Sequence, residues 1–344
     1  SFHSIMYNGV IACLVGSFTP LFGHRSVPST RQMKEIHMTK WLCWTALLFI
    51  TLASTGCTPI RAAELPYVDL EKRTPLPAAL DSDVLPLRLA VAAIISPQGT
   101  AESYRVLADY LEEALARPVE LIQRRTYAEV NDLVADGQID VAFVCTSAYI
   151  DGHDRFGMEL LVAPEINGET VYYSELIVPI DSEAASIADL AGKRFAFTDP
   201  MSFSGRVHPT HLLRQLNADP ETFFGDTFFS YSHDRAIEAV ANGVADGAAV
   251  DSLVLDYAFL RDPNLLGQLK VIHRSRPFGI PPVVVPPDLA PKQKRLLQET
   301  LLSMHEDPRG RAILKELGID RFVPIDDGAY VEVRGLIRQT GELQ

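Results

Sequence analysis

"DLVADGQIDVAFVC" (132–145) closes a helical stretch, turns at a glycine and runs into an apolar strand, and "EAVANGVADGAAVD" (238–251) does the same. Laid one on the other, Gly137 falls on Gly243, Asp140 on Asp246 and Cys145 on Asp251. Glycine is the residue that most readily ends a helix in the left-handed conformation. The unbroken apolar run after each aspartate reads as a strand buried on both faces, the habit of a parallel sheet. Two similar α/β units are therefore implied.

The flanking sequence extends this pattern. "LRLAVAAII" (87–95) is another strand buried on both faces. In "TAESYRVLADYLEEALAR" (100–117), Val106, Leu107, Tyr110, Leu111 and Leu115 recur at helical spacing. "VELIQ" follows as a strand, then "TYAEVNDLVADG" as a helix ending at Gly137. Strand and helix in strict alternation give a parallel sheet covered by helices. "YYSELIVPI" (172–180) and "LKVIHRSRPFGIPPVVVPP" (269–287) flank the second unit and read as crossovers between lobes. "PKQKRLLQETLLSMHEDPRGRAILKELGI" (291–319) reads as two helices broken at Pro308 and Gly310. The expected fold is α/β with two lobes and a ligand cleft between them. Residues 87–175 and 273–344 form lobe 1, and 176–272 form lobe 2. Ligands collect outside the carboxyl ends of strands in such sheets, which places Cys145 and Asp251 on facing walls of the cleft.

Composition narrows the function. The chain has 344 residues, 47% of them hydrophobic, and a net charge of −13, which argues against a nucleic-acid partner. Four cysteines without a CxxC pair give neither a disulfide framework nor a zinc site. "MTKWLCWTALLFITLASTGC" (38–57) reads as an export signal, with Lys40 at its head, an apolar run and small residues before Cys57. Thr55-Gly56-Cys57 resembles a lipoprotein box, although Ser54 stands where leucine is usual; an ordinary cleaved signal or an uncleaved anchor is the alternative. On this reading 38–56 is the leader, Cys57 the lipid anchor and 57–86 a Pro-rich, charged tether. Residues 1–37 are read as a non-native upstream extension. Cleavage before Cys57 removes four basic residues and one acidic residue, moving the net charge from −13 to −16. It also leaves Cys145 as the one thiol, without an intramolecular partner.

Several residues can carry chemistry in the cleft. In "FTDPMSFSGRVHPTHLL" (197–213), Ser202, Phe203, Ser204 and Gly205 open a helix after a strand. Their hydroxyls and free N–H groups suit an anion or polar oxygens, and plain N-capping is the competing reading. His233 stands at another helix start, as a donor to a ligand oxygen or as a structural histidine. Tyr127, Tyr172 and Tyr173 can line the cleft or pack in the core. Cys145, with Thr146 and Ser147 behind it, admits three readings: a packed core residue, a nucleophile with His233 as base, or a soft ligand for a thiophilic species. No GxSxG, HExxH or phosphate-loop motif is present, and neither an enzymatic activity nor a cofactor is expected.

Residues 87–333 resemble the periplasmic binding proteins of the phosphonate/phosphite type. The resemblance rests on "YRVLADYLEEAL", "GQIDVAFV", "YYSELIV", "TDPMSFSG", "SHDRAIEAVANGVADGAAVD" and "DPRGRAILKELGIDRFVPIDDGAYVEV". It implies a type II two-lobed protein that closes on a small ligand. The family's oxyanion site, a Ser-Thr-Ser-Gly helix start plus a histidine, maps to Ser202, Phe203, Ser204, Gly205 and His233. Phe203 replaces a hydroxyl there, so a multiply charged phosphonate would be desolvated with fewer hydrogen bonds in return. With Cys145 on the other wall, the chain is similar to the arsenite-sensing, AioX-type branch. That branch implies arsenic(III) bound through Cys145 and a sensor histidine kinase as partner, from a periplasmic, lipid-anchored position. Arsenous acid is uncharged at neutral pH and needs partners for its hydroxyls, which the serines, His233 or Asp251 would supply. The alternative is the binding subunit of an ABC importer, with a permease as partner, for phosphonate, phosphite or a similar oxyanion. A thiol enzyme of the thiaminase-like kind is the third reading and lacks an acid/base set.

Overall fold

The computed structural model describes residues 85–94 and 97–342. The extension 1–37, the leader 38–56, Cys57 and the tether up to residue 84 lie outside the described residues. No helix among the described residues is long and apolar enough to cross a membrane.

Lobe 1 is built on a six-stranded sheet ordered β13-β4-β12-β3-β1-β2 and lobe 2 on a five-stranded sheet ordered β10-β6-β9-β7-β8. In the first, β1 (Leu87–Val91) lies parallel to β2 (Val119–Gln123) and β3 (Val141–Phe143). In the second, β7 (Arg194–Phe197) lies parallel to β8 (Asp226–Phe229) and β9 (Gly247–Asp251). Each sheet then takes one antiparallel strand from a crossover. β12 (Val283–Val285) pairs with β3 and β4 (Glu159–Glu165), and β6 (Ser174–Pro179) pairs with β9 and β10 (Leu269–Arg274). Between them, β5 (Val171–Tyr172) and β11 (Phe278–Gly279) form a two-stranded hinge. β13 (Arg321–Val323) closes the lobe 1 edge against β4. Strand pairing gives Ser174, Glu175, His273 and Arg274 to the second sheet, two residues beyond the lobe limits read from the sequence on each side.

The internal repeat has a physical basis in both lobes. Gly137 and Gly243 sit at φ +64° and +68°, where a side chain would be strained. The following aspartate clamps the strand beside it. Asp140 accepts from the Arg88 backbone at 2.8 Å and from its guanidinium at 2.8 Å. Asp246 repeats this on Arg194 at 2.9 and 2.8 Å. The repeat therefore places Cys145 and Asp251 at matching strand ends. Each is the N-cap of the next helix, α3 (Thr146–Phe156) for Cys145 and α7 (Ser252–Arg261) for Asp251.

Why these strands carry no polar face is visible in the packing. Leu87, Leu89 and Val91 enter one core with Val141 and Phe143, under α1 (Pro97–Leu115) and α8 (Pro291–Ser303). Ala90 and Ala92 face the opposite core with Ala142, Val144 and Cys145. That second core also holds Tyr127, at the start of α2 (Tyr127–Ala135), together with Tyr172 of the hinge and Met201 and Phe203 of lobe 2. Apolar burial of this kind contributes about 1.5–3 kcal/mol per large side chain, and here it joins the two lobes.

Candidate functional site

Five chain turns converge where the lobes meet: the starts of α2, α3 and α7, the start of α6 (His233–Ala241), and a one-turn π-helix at Phe203–Val207. The π-turn leads into α4 (His208–Gln215) and is capped by Ser202, whose Oγ accepts from the Gly205 N–H at 3.0 Å. Gly205 is required by packing, because a Cβ there would overlap the Thr198 side chain. Several of the contacts between lobes meet here. The Tyr127 N–H donates to Asp199 Oδ2 at 3.2 Å, and the His233 N–H donates to the Ile94 carbonyl at 3.0 Å. The Ser147 hydroxyl donates to the Met201 carbonyl in a short contact. The Phe203 N–H approaches the Cys145 sulfur, as does the Ser147 N–H from its own lobe. The lobes touch through these contacts, and the groups between them are shielded from solvent.

Dryness sets their protonation. The Cys145 thiol is 3% exposed, and burial pushes its pKa up despite the two N–H groups, so it is held as a thiol. Its sulfur lies 3.8 Å from the Ser147 hydroxyl. Burial lowers the His233 pKa to about 3, which keeps the ring neutral. The Asp251 N–H donates to His233 Nδ1 at 3.0 Å, so the ring proton is on Nε2, which donates to Ser202 Oγ over a long 3.5 Å contact. Asp251 is raised to about 7 by desolvation, against N–H groups at the start of α7 that favour its ionised form; one of these, from Leu253, lies at 2.8 Å. Arg125, two residues before Tyr127, sets its guanidinium 4.3 Å from the Tyr231 ring centroid.

Four buried hydroxyls of this cluster have no partner: those of Tyr127, Tyr172, Ser204 and Ser232. Thr146 and Ser204 lie near enough to Tyr172 to favour its ionisation slightly, but neither makes a well-formed hydrogen bond with it. A buried unpaired hydroxyl costs about 1–3 kcal/mol, so these groups call for partners that the chain itself does not supply.

The structure thus brings together Cys145, Ser147, Tyr127, Tyr172, Ser202, Ser204, His233, Asp251 and the backbone of Phe203. The Thr146 hydroxyl is already used, donating to the Gly279 carbonyl at 2.8 Å and tying α3 to the hinge. The Phe203 ring packs edge-on against Phe278 at 4.6 Å and near Tyr172 at 6.4 Å. Tyr173 stands apart, half-buried beneath the Arg274 guanidinium at 4.2 Å. Sequence reasoning missed Ser232, Asp199 and the Ile94 carbonyl. Ser232 was within reach, since it directly precedes His233 at a helix start. The Ile94 carbonyl matters only because the lobes touch, and Asp199, which also accepts from the Met201 N–H at 2.8 Å in its own lobe, reaches lobe 1 only through its Tyr127 contact. No group of three or more histidine, cysteine or acidic side chains among the described residues is arranged to hold a metal ion.

Known proteins resemble this chain along most of its described length. The family described as "ABC transporter, phosphonate, periplasmic substrate-binding protein" matches residues 89–330. The phosphonates-binding periplasmic protein of Escherichia coli is 25% identical over 265 residues, covering 76% of this chain and 78% of that protein. The phosphate-import protein PhnD of Mycolicibacterium smegmatis is 28% identical over 214 residues, covering 58% and 66%. Among solved structures, a binding-protein component of an ABC phosphonate transporter from Pseudomonas aeruginosa superposes with a TM-score of 0.71 at 24% identity, over 76% of this chain and 88% of that one. A Prochlorococcus marinus protein in complex with methylphosphonate gives 0.68 at 18% identity, over 74% and 98%. At these identities the structural likeness establishes the two-lobed fold alone.

Proposed function

Because the chain belongs to the phosphonate-type family of periplasmic substrate-binding proteins, we propose that it binds a small hydroxylated ligand between its lobes and that this ligand is arsenous acid, held through Cys145. The observation that carries the reading is the make-up of the buried cluster: one thiol, a neutral histidine, a carboxyl that titrates near neutrality and four unpartnered hydroxyls. A phosphonate anion taken into that environment would meet the N–H groups of the helix starts, but also the buried Asp251 carboxyl. Arsenous acid is neutral, has three hydroxyls to share, and its arsenic(III) is thiophilic. In the binding step a sulfur–arsenic bond forms and an arsenic–oxygen bond breaks. The thiol proton leaves with the displaced hydroxide as water, and arsenic stays trivalent. His233 Nε2–H, Ser204 and the two tyrosines then serve the remaining hydroxyls.

In this proposal the ligand-bound, closed form is read by the periplasmic part of a sensor histidine kinase, and a diacylated Cys57 keeps the protein at the membrane. Mass spectrometry of the mature N-terminus tests the anchor. A second reading, the binding subunit of an ABC importer for phosphonate, phosphite or phosphate, is favoured by the family match and by the names of the two relatives. One pair of measurements separates the two: calorimetric titration with arsenite and with phosphite or phosphonates, on the native chain and on Cys145→Ser. Arsenite binding that disappears in a folded Cys145→Ser supports the arsenic reading. Arsenite binding at native affinity in that variant, or tight binding of the oxyanions alone, would overturn it in favour of import.

A further inference from the structure

A second concentration of unpaired groups lies where the lobes join, apart from the buried cluster. A pocket of about 280 Å³ opens between α4 of lobe 2, the end of β10 and the C-terminal helix Val331–Thr340 of lobe 1. None of the cluster's residues lines it. Three histidines and two arginines do, with no carboxylate among them, in a chain of net charge −13. His208 is 5% exposed, and its buried Nδ1 has no partner; the buried Nε2 of His273 has none either. The two rings lie 5.8 Å apart at 21° to one another. β10 brings His273 there through a register shift between Val271 and His273, the kind of bulge that re-aims a side chain. The Phe278 ring backs His208 at 5.9 Å. His211, one turn along α4, is already served, since the Gln215 amide donates to its Nε2 at 2.9 Å. Arg274 is engaged by Glu175 at 3.1 Å, whereas Arg276 meets Glu332 in an exposed pair at 3.2 Å.

We propose that this pocket is a second binding site, for a tetrahedral oxyanion of the sulfate class, held by ring N–H groups of His208 and His273 and by the Arg276 guanidinium. The inference stands apart from whatever the cleft holds. The described histidines are not arranged to hold a metal ion, and the two guanidinium groups repel a cation and attract an anion. Burial, with His273, His211 and Arg276 close by, lowers the His208 pKa to about 3. Burial lowers His273 as well, and burial with Arg276 lowers His211. The charged groups facing His208 are thus bases crowded together without a counter-ion, apart from the carboxylates that Arg274 and Arg276 already hold. An anion supplies the missing charge and favours the protonated rings. Its binding therefore takes up protons, and affinity rises as pH falls. Bound there, the ion ties α4 to the crossover that leads into hinge strand β11.

The test titrates sodium sulfate into the native chain at pH 6, 7 and 8, at constant ionic strength made up with chloride. Sulfate does not titrate in this range, so any pH dependence belongs to the protein. The titration is repeated on His273→Phe, which keeps a ring but removes its nitrogens, and on Arg276→Gln. The Arg276–Glu332 pair is exposed, so Arg276→Gln should melt as the native chain does and decides the matter even where His273→Phe folds poorly. The native chain is expected to bind sulfate saturably and more tightly at pH 6 than at pH 8. Each variant is expected to lose about tenfold or more in affinity, the loss of one hydrogen bond to a charged partner. Nitrogen-15 spectra of the histidine rings should show His208 and His273 moving with sulfate while His233, in the cleft, stays. Native protein that takes up no sulfate, equal affinity in a folded variant, or an affinity flat from pH 6 to pH 8 overturns the proposal. Movement of the His233 ring in place of the other two places the anion in the cleft and overturns it as well.

Discussion

Asp251→Asn should change how the stability of the ligand-free protein depends on pH. Desolvation raises the Asp251 pKa from 3.8 to about 7. A group raised in this way contributes most at low pH. As pH climbs through about 4 the unfolded chain loses its proton while the native chain keeps it, and stability drains away until the native group ionises near 7. At about 1.4 kcal/mol per pH unit, a span of about three units comes to about 4 kcal/mol. Asparagine does not titrate and keeps an oxygen to accept from the Leu253 N–H. The difference in unfolding free energy between native and Asp251→Asn chains should therefore fall by about 4 kcal/mol between pH 4 and pH 8. His233 and His208, both lowered to about 3 by burial, act in the opposite sense and lose stability as pH falls from about 6.5. They are present in both proteins and cancel in the difference. Urea unfolding at four or five pH values, followed by circular dichroism, measures it. A difference that stays flat across that range would show that Asp251 ionises as an ordinary carboxyl, and the argument for a cluster shielded from solvent would fail.

Three further outcomes are expected. Ser204→Ala and Tyr172→Phe each remove a buried unpaired hydroxyl, so the ligand-free melting point should hold or rise, by up to about 1 kcal/mol of stability, while ligand affinity falls. A loss of ligand-free stability would mean that these hydroxyls are paired in the native state. Gly205→Ala should cost about 1–3 kcal/mol through overlap with Thr198, and Thr198→Ala in the same chain should recover most of it in thermal melts. Phe203→Thr should lose about 3 kcal/mol or more, because the ring packs on Phe278 and Tyr172. A chain that melts unchanged, and gains phosphite affinity, would mean the ring selects ligands without supporting the core.

The α/β class, the two lobes and the pairing of Cys145 with Asp251 were all legible in the chain, because each rests on local rules. Apolar runs write strands buried on both faces, and glycine in the left-handed conformation writes the helix ends. The repeated aspartate writes the clamp that Asp140 makes on Arg88 and Asp246 makes on Arg194. Ser202, Ser204 and His233 were legible too, since each begins a helix at a strand's end. What local rules cannot reach is which of these groups share one dry space. Tyr172 and Tyr173 are neighbours in sequence, yet one is buried with Cys145 and the other lies under Arg274, a division made by hinge strands that pair across a hundred residues. The Ile94 carbonyl, and the Asp199 oxygen that accepts from Tyr127, matter only through atoms of the opposite lobe. The thiol, the neutral imidazole and the raised carboxyl are likewise products of closure, since ionisation follows the water that closure removes, and no single segment of the chain carries that information.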